Sequence, residues 1–122
     1  MKTALEIVEG VIELFDDPKK WWKDDFAVNG KGDVVDPRNP HAQCWCLQGA
    51  IDKVAGARIF SNEPHEPKEW DLRKTIREAF EADVKPKGFV GMVDFNDDEN
   101  TKFQDVVDLC KRTAERLREK AA

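Results

Sequence analysis

Residues 40–55 read PHAQCWCLQGAIDKVA, and this stretch decides the predicted fold. Pro40 fits the first position of a helix, and Gly56 suits the residue that follows a helix. Projected on a helix at about 100° per residue, the apolar side chains of the stretch cover more than half of the circumference. A helix with so broad an apolar surface lies inside a domain. We therefore predict a central, buried helix at about 40–55.

Three further stretches predict helices around the central one. The first begins with a capping box formed by Thr3 and Glu6 and ends before Pro18. The second covers about residues 68–83, and the last covers about residues 102–120 and carries the most regular apolar stripe. Each of the three has one apolar side, which suits packing against a buried helix.

A short insert separates the first and second predicted helices. Residues 26–28 and 34–35 are apolar and flank the turn sequence NGKGD, which predicts a β-hairpin or an extended loop. Residues 89–95 form an apolar run that the sequence leaves open between strand and helix. The expected architecture is mainly α: one compact four-helix domain of residues 1–122, with the hairpin or loop insert between helices 1 and 2.

Composition and charge narrow the classes of function. The chain has 122 residues, with 20 Lys and Arg against 25 Asp and Glu, and a formal net charge of -5. An acidic balance argues against nucleic acid as the main partner. The stretch KKWWK at residues 19–23 can stack on a nucleotide, but we favour tryptophan packed under lysine side chains. Without a membrane-length apolar run or a secretory signal, we expect a cytoplasmic protein that does not enter a membrane.

The nucleophiles and metal ligands of the chain are few. Ser61 is the single serine and lacks a Gly-x-Ser-x-Gly context, which argues against a serine hydrolase. Three cysteines, an odd number, are typical of free thiols in a reducing compartment, and their spacing with the two histidines does not fit zinc. Residues 94–105 resemble a calcium loop, but Glu99 stands where that loop needs glycine. The sequence therefore predicts no metal and no cofactor, and it disfavours an enzyme without excluding one.

Cys46 allows two interpretations. As a nucleophile it would use His41 or His65 as a base, with Asn96 or Asp97 orienting that base. As a buried thiol within the apolar arc of the central helix it would be inert packing. The helical projection places His41 and Cys46 about 140° apart. We therefore favour the packing role.

A less apolar face of the predicted central helix is the first candidate binding surface. It carries His41, Trp45, Gln48 and Asp52, and a tryptophan among polar groups is a common anchor for a partner or a small ligand. The alternative is that another element, such as the hairpin, covers Trp45. Gly49, one turn after Trp45, leaves room beside the indole or for a close backbone approach.

Asn96 and Asp97 form the second candidate. They can contact a ligand beside Trp45, or they can form a structural turn that bonds local backbone N–H groups and fixes the entry to the last helix. We favour the structural turn and keep both residues as candidate binding residues.

Two segments together resemble a known family. Residues 39–51 contain the Trp-Cys-x-x-Gly-Ala-aliphatic pattern of a small family of uncharacterised bacterial and phage proteins. Phe95, Asn96 and Asp97 resemble the aromatic-Asn-Asp turn of that family, which often has Trp in place of Phe95. Residues 103–106 resemble the start of its last helix. The resemblance implies an uncharacterised domain with a phage or prophage association and no known activity.

These features predict a small protein that acts by binding a protein partner or by self-association. Its expected binding residues are His41, Trp45, Gln48, Asn96 and Asp97. An acidic protein of this size can be steered onto basic surfaces. The alternative is a small-ligand binder or an enzyme whose pocket lies between the Trp45 face and the Asn96-Asp97 turn.

Overall fold

The computed structural model describes residues 2–61 and 65–121 and has a mainly helical fold. The helical class is confirmed, but the described residues form five α-helices rather than four, with two 3-10 turns and one two-stranded antiparallel sheet. In chain order the elements are α1 (Ala4–Leu14), a 3-10 turn (Pro18–Lys20), β1 (Ala27–Asn29), β2 (Ala42–Trp45), α2 (Leu47–Ala55), α3 (Pro67–Val84), a 3-10 turn (Lys85–Lys87), α4 (Met92–Asp97) and α5 (Phe103–Ala121).

The first helix begins where the sequence predicts. The Thr3 hydroxyl accepts a hydrogen bond from the Glu6 N–H (3.1 Å), and the Glu6 carboxylate accepts one from the Thr3 N–H (2.9 Å). Ile7, Val8 and Val11 are fully buried, and α1 packs against α2 and α5. The apolar stripe of the sequence is therefore the side of α1 that faces the core.

The long helices α3 and α5 also lie close to their predicted ranges and pack against each other. Ile76 and Phe80 of α3 and Cys110 of α5 are fully buried. Burial raises the pKa of the Cys110 thiol to about 12, so this thiol is protonated and serves as packing. No helix in the described parts of the chain is both long enough and apolar enough to cross a membrane.

The prediction of one helix over 40–55 is wrong in its N-terminal part. Ala42–Trp45 is a strand, and α2 begins only at Leu47. The Cys46 thiol accepts a hydrogen bond from the Gly49 N–H (3.3 Å) and so caps the first turn of α2. The apolar run continues without a break from strand into helix, and cysteine is not a usual capping residue, so periodicity could not place the boundary. The remaining part is a buried helix, as predicted for the whole stretch.

The insert contains a short hairpin, but its first strand has a second partner. Strand β1 pairs with β2, with Ala27 opposite Trp45 and Val28 opposite Cys44. The expected hairpin consists of an isolated antiparallel bridge between Val28 and Val34 and of two hydrogen bonds, from the Asn29 N–H to the Asp33 carbonyl (2.9 Å) and from the Val35 N–H to the Ala27 carbonyl (3.1 Å). The main partner of β1 lies further along the chain, which a local turn pattern could not indicate.

Residues 89–95, which the sequence left open between strand and helix, contribute the first four residues of the short helix α4. Met92 and Phe95 are buried, whereas Val93 between them is exposed. Six helical residues give fewer than two turns, which is too short for a helical period to be recognised in the sequence.

Gly49 permits a close approach of two backbone segments. A Cβ atom built on Gly49 would lie 1.8 Å from the carbonyl oxygen of Phe26. The same carbonyl accepts a hydrogen bond from the Cys46 N–H (3.2 Å). Of the two consequences expected for Gly49, the close backbone approach is therefore confirmed, and it lets α2 dock on the chain just before β1.

Asp52 was expected on a polar face, but it is a fully buried carboxylate of α2. Its Oδ2 lies 3.4 Å from Nε of Arg58, which also approaches Asp36 (3.5 Å) and lies over the ring of Phe26. Burial raises the pKa of Asp52 to about 6, although the charge of Arg58 opposes that rise. The ionised form of Asp52 therefore destabilises the folded chain at neutral pH relative to the protonated form.

This burial predicts a specific pH dependence of stability. An aspartate in an unfolded chain titrates near about 3.9. Between about pH 4 and pH 6 the folded chain therefore binds more protons at Asp52, and the free energy of unfolding falls as the pH rises. On going from pH 7 to pH 5, the wild-type protein should gain about 1 kcal/mol relative to Asp52→Asn, which has no such titration.

Urea unfolding of both proteins at the two pH values checks this expectation. Asp71→Asn, at an exposed position of α3, is the matched control and should follow the wild-type protein. An identical pH dependence in the wild-type protein and Asp52→Asn would contradict the assignment.

Candidate functional site

Asn96 lies at the centre of the region that the sequence singled out. Asn96 is only 1% exposed, and the oxygen and the nitrogen of its side-chain amide each form two hydrogen bonds. Oδ1 accepts hydrogen bonds from Nε1 of Trp21 (2.7 Å) and from the N–H of Leu47 (3.1 Å). Nδ2 donates to the carbonyl of Trp22 (3.1 Å) and to Oδ1 of Asp97 (2.9 Å). With every hydrogen-bonding position occupied, this side chain joins α4 to two distant parts of the chain.

Asp97 and Asp98 also bond the segment that follows Trp21. Oδ1 of Asp97 accepts a hydrogen bond from the N–H of Asp24 (2.9 Å), whose φ of 74° lies in the left-handed region. The ammonium of Lys23 donates to the carbonyl of Asp98 (2.7 Å) and lies 5.3 Å from the centre of the Trp21 ring. This agrees with tryptophan packed beneath a lysine, and it holds residues 21–25, hereafter the tryptophan strap, against the end of α4.

The predicted turn at Asn96 and Asp97 is wrong in its geometry. Both residues belong to α4. They bond each other and residues between 49 and 75 positions away, rather than the local backbone before α5. The entry to α5 is fixed instead by Asp105, whose carboxylate accepts the N–H of Lys102 (2.8 Å). The sequence signal that was available was the aromatic-Asn-Asp pattern itself, which does not reveal distant partners.

Trp45 is buried, and its backbone pairs with the tryptophan strap. Its indole Nε1 donates to the carbonyl of Pro37 (3.0 Å), and its own carbonyl accepts the N–H of Trp22 (2.9 Å). Trp21 forms an isolated parallel bridge with Trp45. The strap therefore occupies the space between Trp45 and Asn96, where a ligand pocket was expected.

The expected helical face with His41, Trp45, Gln48 and Asp52 is not assembled, because His41 and Trp45 precede α2. His41 is exposed and borders a polar depression, together with the side chains of Asn29, Lys31, Asp33, Asn39 and Gln43. Gln48 borders a different depression beside α4. The structure thus separates the two polar candidates, and their role in binding stays a prediction.

The thiol of Cys46 lacks the surroundings of a nucleophile. Burial raises its pKa to about 11, and its sulfur caps α2 instead of contacting an imidazole. Cys44 is partly buried, and its thiol donates to the carbonyl of Lys19 (3.1 Å). Burial raises the pKa of Cys44 as well. These environments agree with the packing and capping roles of the thiols rather than with catalysis.

The four aspartates of residues 94–105 each accept a hydrogen bond from a backbone N–H of the chain itself. Asp94 accepts a hydrogen bond from the N–H of Val90 (2.9 Å), and Asp98 accepts one from the N–H of Asn100 (2.9 Å). Within residues 2–61 and 65–121, no group of three or more His, Cys, Asp or Glu converges as metal ligands would. The segment thus links α4 to α5 through turns that its acidic side chains stabilise.

An apolar surface that the sequence did not single out lies beside α4. Val90 is 79% exposed and Val93 is 43% exposed, and both border a shallow depression. We call Val90, Gly91 and Val93 the valine patch. The polar side chains that border it are Gln48, Arg77, Glu81 and Asp94.

The chain matches the model of a known protein family. A family model covers residues 1–116, which is nearly the whole sequence. The chain belongs to the Family of unknown function (DUF6197). The resemblance to an uncharacterised family is thereby confirmed. No curated protein and no solved structure matches the chain, so the function has to be argued from its geometry.

Replacement of Asn96 by alanine tests whether this residue holds the fold. Asn96→Ala would leave the N–H of Leu47 without its partner in a buried region, and Nε1 of Trp21 and the carbonyl of Trp22 without theirs in a partly buried one. At about 1–3 kcal/mol for each unsatisfied group, the free energy of unfolding should fall by about 3 kcal/mol or more. Urea unfolding followed by tryptophan fluorescence measures this change.

Asn100→Ala is the control for that experiment, because Asn100 is exposed and its contact uses the backbone. It should unfold within about 0.5 kcal/mol of the wild-type protein. If Asn96→Ala were as stable as Asn100→Ala, the structural role of Asn96 would be wrong, and a role in binding would become the better explanation.

Proposed function

We propose that this protein acts by binding another protein through the valine patch. The observation that carries the proposal is the exposure of Val90 and Val93 in one depression, since a compact apolar surface with a polar border is typical of an interaction site. Isolated exposed valines occur on any surface, but Val90 just before α4 and Val93 in its first turn border the same depression with four polar neighbours.

The valine patch is held rigidly from beneath. Met92 and Phe95 of α4 are buried, and the rings of Phe89 and Phe95 lie edge to face with their centres 5.1 Å apart. The carboxylate of Asp94 fixes the N–H of Val90. A surface that is already ordered loses little conformational entropy when a partner binds, which favours affinity.

The border of the patch supplies polar contacts. Glu81 lies between Arg77 (3.9 Å) and Lys85 (3.1 Å), so charges of both signs stand beside the valines. Gln48, one of the predicted binding residues, is in this border. Charged groups at the edge of an apolar contact select partners more than they add affinity.

The charge of the whole chain favours one class of partner. At a net charge of -5, the protein repels other acidic proteins and attracts basic surfaces over about a Debye length. We therefore propose a partner with a basic surface around an apolar contact, and a second copy of this chain is the alternative. A cytoplasmic location and an association with phage or prophage belong to the same proposal and rest on the sequence.

For the remaining predicted residues we propose separate roles. Trp45, Asn96 and Asp97 position the frame on which α4 rests, as their buried contacts support. His41 lies on the polar depression away from α4 and is a candidate for additional contacts to the partner.

Charge substitutions in the patch test the proposal. Val90→Asp and Val93→Asp change exposed side chains, so the melting temperature should stay that of the wild-type protein. Both should weaken a partner's affinity by about tenfold or more, because a carboxylate is placed in the apolar contact. The partner is first identified by affinity capture with the wild-type protein, and dissociation constants are then measured with the purified pair.

Val34→Asp is the matched control, since Val34 is 65% exposed in the loop after β1 and gains the same charge. It should bind as the wild-type protein does. Equal binding by Val90→Asp and the wild-type protein would overturn the proposal, as would an equal loss in Val34→Asp. Sedimentation of the isolated protein distinguishes a second copy from a different partner.

A further inference from the structure

Three cationic side chains converge on one buried carboxylate between α3 and α5. The side chain of Asp83 is 2% exposed. It accepts hydrogen bonds from Nζ of Lys87 (2.7 Å), from Nε and Nη2 of Arg112 (2.8 and 3.1 Å) and from Nη1 of Arg116 (2.6 Å). We call Lys87, Arg112 and Arg116 the cationic cluster. Three positive charges against one negative charge leave an excess of two.

The carboxylate at the centre stays ionised. Burial alone would raise the pKa of Asp83, but the hydrogen bonds from Arg112, Lys87 and Arg116 hold it well below its usual range. Asp83 therefore keeps its negative charge across the neutral range, and the excess charge of the cationic cluster does not change there.

Other acidic groups neutralise the cluster only in part. Within residues 2–61 and 65–121, the structure pairs the three cations with no carboxylate other than Asp83. Asp105 and Asp108 act on Arg112 from a distance. The carboxylate of Asp108 accepts a hydrogen bond from Gln104 (2.9 Å) instead. A local excess of positive charge thus stands on a chain whose net charge is -5.

The cluster keeps hydrogen-bond donors for a ligand. Nη1 of Arg112, Nη2 of Arg116 and the remaining N–H bonds of Lys87 are not used on Asp83. The three side chains are between 38% and 50% exposed, so one side of the cluster is open to solvent. Because Asp83 already holds their heads together, an anion would meet donors that are ordered before it binds.

We infer that the cationic cluster is a binding site for a phosphate dianion. A local excess of positive charge attracts the dianion, and guanidinium groups bond phosphate oxygens through paired N–H donors. The shared chemistry is a terminal phosphate, whether it comes from inorganic phosphate or from a phosphomonoester. The site lies on the α3–α5 side of the molecule and is argued independently of the valine patch.

Titration of the wild-type protein tests the site directly. Inorganic phosphate is added against chloride at equal ionic strength, while nitrogen NMR follows the Nε–H signals of Arg112 and Arg116. A saturable shift of both signals with phosphate, absent with chloride, is expected. Glycerol 2-phosphate in a parallel titration distinguishes the two sources, because tighter binding of the ester favours a phosphomonoester and weaker binding favours the free ion.

Two variants that each remove one positive charge test whether phosphate binds at the cationic cluster. Lys87→Gln should weaken phosphate binding by about tenfold or more, since it removes one of the three positive charges and leaves both arginines on Asp83. Arg118→Gln is the control, because Arg118 pairs with Glu9 and Glu115 instead of Asp83. Equal weakening in both variants would show a general charge effect and overturn the inference, as would titration with no saturable shift in the wild-type protein.

Discussion

The side-chain amide of Asn96 bonds three backbone or side-chain groups that lie far from it in the sequence. Its oxygen accepts from the indole of Trp21 and from the first N–H of α2, and its nitrogen donates to the carbonyl of Trp22. In a buried region, each of these groups would lose its partner if the amide were absent. The tryptophan strap, the start of α2 and α4 therefore meet at one side chain, and the contacts of Asp97 and Lys23 add to it.

The residues on which the family resemblance rests also make structural contacts within the chain. Trp45 bonds the Pro37 carbonyl, Cys46 caps α2, and Gly49 makes room for a backbone carbonyl. A thiol with two histidines in the chain and an asparagine beside an aspartate suggest catalysis when only residue types are considered. In the folded chain the thiol and the asparagine are bonded by the chain itself, so binding is proposed at surfaces that the motif leaves uncovered, among them the valine patch and the cationic cluster.

The parts of the fold that local signals specify were predictable from the sequence. The capping box of α1 and the stripes of α3 and α5 depend on neighbouring residues, and the structure has all of them. The strand within 40–55 was missed because its pairing partner is distant and its apolar run continues into a helix. The candidate site was predictable only as a list of residues. Its central contact joins Trp21 to Asn96, 75 positions apart, which no local pattern encodes.

Hydrogen exchange of the two indole N–H groups of the tryptophan strap tests the central role of Asn96 most directly. Nε1 of Trp21 is bonded to the buried Asn96, whereas Nε1 of Trp22 is bonded to Asp25 near the surface. The Trp21 proton should exchange only by global unfolding, with a protection free energy equal to that of unfolding, and the Trp22 proton should exchange far faster. Rapid exchange of both protons at similar rates would show that the strap opens independently of the core, and would contradict the account.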